Sequence, residues 1–90
     1  MSRLKQLSAT GNISGAADTI RLHSVVLTAG ADAASLVVKR DGTSGTAVLT
    51  LKAAIATTVI WNASDSDGVE INVAHATFTG TSPVGDFEFR

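Results

Sequence analysis

The chain has no cysteine, one proline and one methionine, and aromatic residues make up only 4% of its 90 positions. Each shortage removes a class of protein. Without cysteine there is no disulfide framework and no thiolate chemistry, so the usual staple of small extracellular domains is missing. Charge is also scarce: 17% of residues are charged, the formal net charge is −1 and the pI is about 6.0. That balance gives no electrostatic footprint for a phosphate backbone or an anionic membrane, and excludes nucleic acid and membrane as expected partners. No uninterrupted apolar run approaches the roughly 18 residues of a membrane span. The opening MSRLKQLSATG carries no apolar segment of the signal-peptide kind, so the expectation is a soluble protein made in a cytoplasm.

What is present is hydrophobic but small. The hydrophobic share is 44%, much of it alanine, leaving the Val/Ile/Leu set with Trp61, Phe78, Phe87 and Phe89 as bulky core-formers. Ninety residues make one domain near the size where a single core only just offsets chain entropy. With disulfides absent, oligomerisation is the remaining common staple.

The pattern of these residues is that of strands. From Asp18 to Gly42 the chain reads as two strands joined by a small-residue turn at Ala29-Gly30-Ala31-Asp32, a central hairpin. Ile20, Leu22 and Val26 share one face in strict alternation, and Arg21, His23, Val25 and Leu27 the other. The run Val25-Val26-Leu27 breaks that alternation, which implies either a strand covered on both faces or a bulge that shifts its register. Leu36 and Val38 then oppose Val37 and Lys39. After the turn Asp41–Gly45, Ala47, Leu49 and Leu51 oppose Val48, Thr50 and Lys52. The run Ile55–Asn62 sets Val59 and Trp61 against Thr58 and Ile60. Residues 62–68 form a polar loop, and residues 69–78 read as one long central strand. Phe87 and Phe89 face away from Asp86, Glu88 and Arg90 in a closing strand. Six to eight short strands with no credible helix predict an all-β fold, an antiparallel β-sandwich or jelly-roll-like barrel over residues 18–90. Residues 1–17 form either an N-terminal arm or an edge strand.

No constellation identifies a reaction, and the expectation is a protein that is not an enzyme. His23 and His75 lie in strand interiors among apolar residues, without the neighbouring nucleophile and carboxylate a triad needs and without a third ligand for zinc. Asp86 and Glu88 alternate with aromatics as a solvent face does. Asn62, Asp65 and Asp67 before Gly68 place oxygen ligands as a small calcium loop would, but no closing acid follows, so a solvated hairpin loop is the plainer reading. The catalytic and cofactor assignments are therefore empty. Trp61 is the one candidate for a carbohydrate platform, which wants two or more exposed aromatics, and its neighbours suggest core instead. Thr28, Thr50, Thr57, Thr58, Thr77 and Thr79 suit sheet faces that meet water or a polar protein surface.

The stretch Leu22–Ala53 resembles the central segment of small all-β virion structural proteins of tailed bacteriophages, especially marine ones. The shared features are an apolar-His-x-Val-Val strand ending in Ala-Gly (Leu22 to Gly30), an Ala-Ser-Leu-Val-Val strand (Ala34 to Val38), an Asp-Gly turn with one spacer fewer (Asp41 to Gly45), and a strand ending in Lys-Ala. The likeness covers roughly residues 20–80, weakening after Gly68-Val69. It implies a capsid decoration or cement protein in the virion, made in the host cytoplasm. Such a subunit would be a homo-oligomer, with a trimer as the first order to test, bound to the major capsid protein. A fibre or tail accessory subunit, or a host-surface carbohydrate-binding module using loop 62–68, is the alternative. The basic N-terminal segment supplies the expected docking residues, with Leu4 and Leu7 as apolar anchors and Arg3 and Lys5 meeting capsid acids.

Overall fold

Runs rich in β-branched residues with a period of two become strands along the whole chain, and no helix forms among the described residues. The computed structural model describes residues 3–13, 19–42, 45–64 and 67–90. Within them lie nine strands: β1 (Arg3–Leu7), β2 (Gly11–Asn12), β3 (Thr19–Thr28), β4 (Ala34–Lys39), β5 (Ala47–Ala53), β6 (Thr58–Asn62), β7 (Val69–Asn72), β8 (His75–Thr79) and β9 (Val84–Phe89). They form two antiparallel sheets. One is five-stranded, in the order β1-β9-β3-β6 with β7 also on β3, and the other four-stranded, in the order β2-β8-β4-β5. The fold is thus the expected all-β sandwich, with nine short strands where six to eight were predicted.

Burial follows the alternation wherever a strand stays in one register. In β4, Ala34, Leu36 and Val38 are buried while Ser35, Val37 and Lys39 are half-exposed, and in β9 Phe87 and Phe89 point inward between Asp86 and Glu88. These side chains meet Ile20, Leu22, Val25 and Leu27 of β3 and Ile71 of β7 in one core, with Leu7, Leu49, Val59, Trp61 and Phe78 packed on its margin. The core is aliphatic with two fully inserted phenylalanines, as the composition suggests.

Strand β3 carries the bulge. Leu22 pairs with Phe89 and Ser24 with Glu88, so His23 is an extra residue with no partner on β9. The insertion reverses which face points inward. Ile20 and Leu22 are buried before it, Val25 and Leu27 after it, and Val26 moves from the inner to the solvent face. The bulge also divides the opposite edge of β3, where Thr19–Leu22 pair with β7 and Ser24–Thr28 with β6.

Three readings of the sequence are corrected by this topology. The stretch 18–42 is not a hairpin, because β3 and β4 lie in different sheets and residues 29–33 carry the chain across. Gly30 closes that crossing so tightly that a Cβ there would lie 2.8 Å from the Thr81 carbonyl oxygen. Residues 69–78 are not one strand. Val73 adopts φ 50°, the chain changes sheet, and only β8, between β2 and β4, is central. Finally, β6 and β7 are not the two arms of a hairpin. Both run antiparallel to β3 along the same edge, so the chain leaves a single strand line after Asn62 and rejoins it at Val69, an excursion whose two ends face the His23 bulge. Ala63 N–H donates to the His23 carbonyl at 2.9 Å on one side of it, and Gly68, at φ 80°, closes the other.

Candidate functional site

The two histidines do not meet. His23 sits at the bulge of the five-stranded sheet, whereas His75 opens β8 in the other sheet, buried, with Nδ1 hydrogen-bonded to Asn12 Oδ1 at 2.9 Å. Among the described residues no group of three histidines, cysteines or acids is close enough to hold a metal ion. Of the calcium candidates, Asn62 ends β6, Asp67 lies at the far end of the excursion, and Asp65 is outside the described residues. Trp61 packs half-buried on the core, away from the flat exposed presentation that sugar stacking needs. The candidate residues are thus spread over both sheets and are not gathered at one place.

The N-terminal docking residues lie on β1, an edge strand paired to β9 from Arg3↔Phe89 to Leu7↔Gly85. This register splits the four residues between two faces. Arg3 and Lys5 stand on the inner face at the rim of the sandwich, with the Arg3 guanidinium 4.8 Å from the centre of the Phe89 ring. Leu7 turns inward and packs against the core, so it anchors β1 rather than a partner. Leu4 points the other way and is 81% exposed. Ser2, which precedes them, lies outside the described residues.

Leu4 belongs to the solvent face of the five-stranded sheet. Cross-strand pairing sets Leu4, Glu88, Ser24 and Asn62 in one row and Gln6, Asp86, Val26 and Ile60 in the next. The two acids of β9 thus lie side by side with apolar groups flanking them. Their orientation is set by neighbours: Gln6 Nε2 donates to Asp86 Oδ1 at 3.0 Å and Ser24 Oγ to Glu88 Oε1 at 3.1 Å. A shallow groove of about 470 Å³ runs over them between Leu4 and Gln6 on one side and Ser24 and Val26 on the other. The alternation in the sequence already put Asp86 and Glu88 on a solvent face. It could not bring Val26 and Ile60 beside them, because the bulge that turns Val26 outward and the pairing that sets Ile60 next to it are both long-range facts.

The opposite face of the sandwich is polar. Ser35, Val37 and Lys39 of β4 alternate there with Thr50 and Lys52 of β5 and Thr77 and Thr79 of β8, and Ser35 is hydrogen-bonded to Thr79 through their hydroxyls. On the same face His75 Nε2 and Thr77 Oγ1 are buried, with no hydrogen-bond partner among the described residues. Thr50 and Thr79 are exposed there as expected, whereas Thr77 is half-buried with its hydroxyl covered.

No protein-family model matches the chain, and no curated protein or solved structure matches it.

Proposed function

We propose that this protein acts through its surfaces rather than through chemistry, as a structural subunit of a tailed-bacteriophage virion that decorates the head and braces neighbouring capsid subunits. The reading rests on the likeness of Leu22–Ala53 to such virion proteins. The observation that carries it is the solvent face of the five-stranded sheet. Leu4 is 81% exposed and Ile60 64% exposed, and between them lie two acids held in fixed orientation. A broad sheet face with apolar groups around a small charged centre suits docking on another protein, since apolar area supplies affinity and the acids supply register.

Bracing needs no induced change in the subunit. A protein that binds only the assembled, expanded shell stabilises that shell by mass action, and many equal weak sites act together. The first test is co-sedimentation with phage heads that lack the protein, using the full chain. Saturable pelleting with heads, reduced by Leu4→Glu without loss of the β-sheet circular dichroism signal, is the expected result. A wild-type protein that stays in the supernatant at every head concentration overturns the reading. Leu4→Glu is preferable to deleting residues 1–12, because that deletion strips β1 from β9 and uncovers Phe89.

A further inference from the structure

We infer that β6 is a self-association edge, and that two copies of the chain pair β6 to β6 antiparallel about a two-fold axis through Ile60, joining their five-stranded sheets into one. The argument begins with which backbone groups are open. Arg21 and Arg90 exchange both backbone hydrogen bonds, at 2.8 and 2.9 Å, which fixes the alternation along β9 and β3. On the β6 side, His23 accepts from Ala63 and Ala29 donates to Thr57, both at 2.9 Å. Val59 and Trp61, which share their parity, therefore bond to β3. The N–H and C=O groups of Thr58, Ile60 and Asn62 point to the free edge.

Those open groups are self-complementary. Antiparallel pairing centred on Ile60 sets Ile60 against its own copy and Thr58 against Asn62, and every open group finds a partner. Val59 meets Trp61 on the inner face, a β-branched residue against an aromatic, which is a favourable cross-strand pair. On the solvent face Ile60 and its copy join the two Val26 side chains into one apolar strip. No charged residue lies in the TVIWN segment, so no like charges come together.

The remaining edges carry the devices that keep strands apart. β1 presents Arg3 and Lys5, and a two-fold pairing centred on it would set Lys5 against Lys5. β5 has Lys52 and a register shift that leaves Val48 without a partner on β4, and β2 is only two residues long. Charges, bulges and shortness are the usual protections of sheet edges, and β6 has none of them. The exposed large hydrophobic residues agree: besides Leu4 they are Val48 of β5, Ile55 of the β5–β6 connection and Ile60 of β6, all on or between the adjoining edges of β5 and β6. A second copy is the occupant these features select, since the register satisfies itself without any other sequence.

This inference is independent of the virion reading, because it needs no capsid: failure to pellet with heads leaves it standing, and a monomeric protein leaves the pelleting experiment unaffected. It predicts a two-fold dimer where the resemblance suggests a trimer. The experiment is sedimentation equilibrium of the full chain from micromolar to millimolar concentration. Wild type and Leu4→Lys are expected to dimerise. Ile60→Lys, which places like charges across the axis at an already exposed position, should be monomeric with an unchanged circular dichroism spectrum. Because the chain has no cysteine, Ile60→Cys supplies a single thiol. Paired Cα atoms about 5.5 Å apart lie within disulfide reach, so mild oxidation should link two chains covalently. A wild type that is monomeric or trimeric throughout, an Ile60→Lys protein that still dimerises, or a dimeric Ile60→Cys sample that does not cross-link would each overturn the inference.

Discussion

Gly68→Ala tests the interrupted edge beside β3 more sharply than any other single change. Gly68 adopts φ 80°, and a Cβ there would lie 2.9 Å from the Leu22 carbonyl oxygen and 3.3 Å from His23 Cε1. Two costs follow. Holding a non-glycine residue in the left-handed region costs about 1–2 kcal/mol, and forcing a methyl group against backbone that is already paired costs about another 1–3 kcal/mol. Gly42 separates them, because it has nearly the same φ, 83°, with nothing within 4 Å of the added Cβ. The gain from restricting the unfolded chain, about 0.4–1 kcal/mol, is common to both substitutions. Gly42→Ala is therefore expected to lose about 1 kcal/mol, and Gly68→Ala about 2–4 kcal/mol, out of a total of about 5–10 kcal/mol for a domain of this size. Urea unfolding of the three proteins, with a shared slope, reads the difference from the midpoints. Equal losses for the two glycines would refute the claim that the bulge and the excursion are packed against each other.

Two further substitutions test buried groups, one inside the sandwich and one on its polar face. Phe87→Ala empties the largest fully buried side-chain site and should cost about 3–5 kcal/mol, a large share of the total, visible as a much earlier urea midpoint; a loss below about 1 kcal/mol would mean that Phe87 is not a core residue. Thr77→Val should raise stability by about 1 kcal/mol, because Thr77 Oγ1 is buried with no partner among the described residues and the valine keeps its shape; a destabilised variant would show that the hydroxyl is hydrogen-bonded in solution.

Much of the fold is legible in the sequence, but at the level of single strands. The inward faces of β9, of β4 through Val38 and of β5 from Leu49 onward follow from alternation alone, since each keeps one register over that span. What alternation cannot report is which strands pair. Ala29-Gly30-Ala31-Asp32 has the composition of a hairpin turn, yet its glycine serves a close crossing between sheets. The run 69–78 alternates smoothly through Val73, a β-branched residue in the left-handed region, so the break carries no glycine or proline signal. The bulge did leave a trace. The consecutive apolar residues Val25, Val26 and Leu27 follow directly on the shift of the inward phase, although nothing local names His23 as the inserted residue. The surface followed the same rule: Asp86 and Glu88 were readable as solvent-facing, while their neighbours Leu4, Val26 and Ile60 come from three other strands.

The virion reading stands on bracing, and bracing is directly measurable. Heads lacking the protein can be heated with and without saturating amounts of the full chain, and the temperature at which they release their DNA recorded. The account predicts that release moves to higher temperature as the sites fill, and that the shift shrinks for Leu4→Glu. Heads that fail at the same temperature with and without the protein would contradict it.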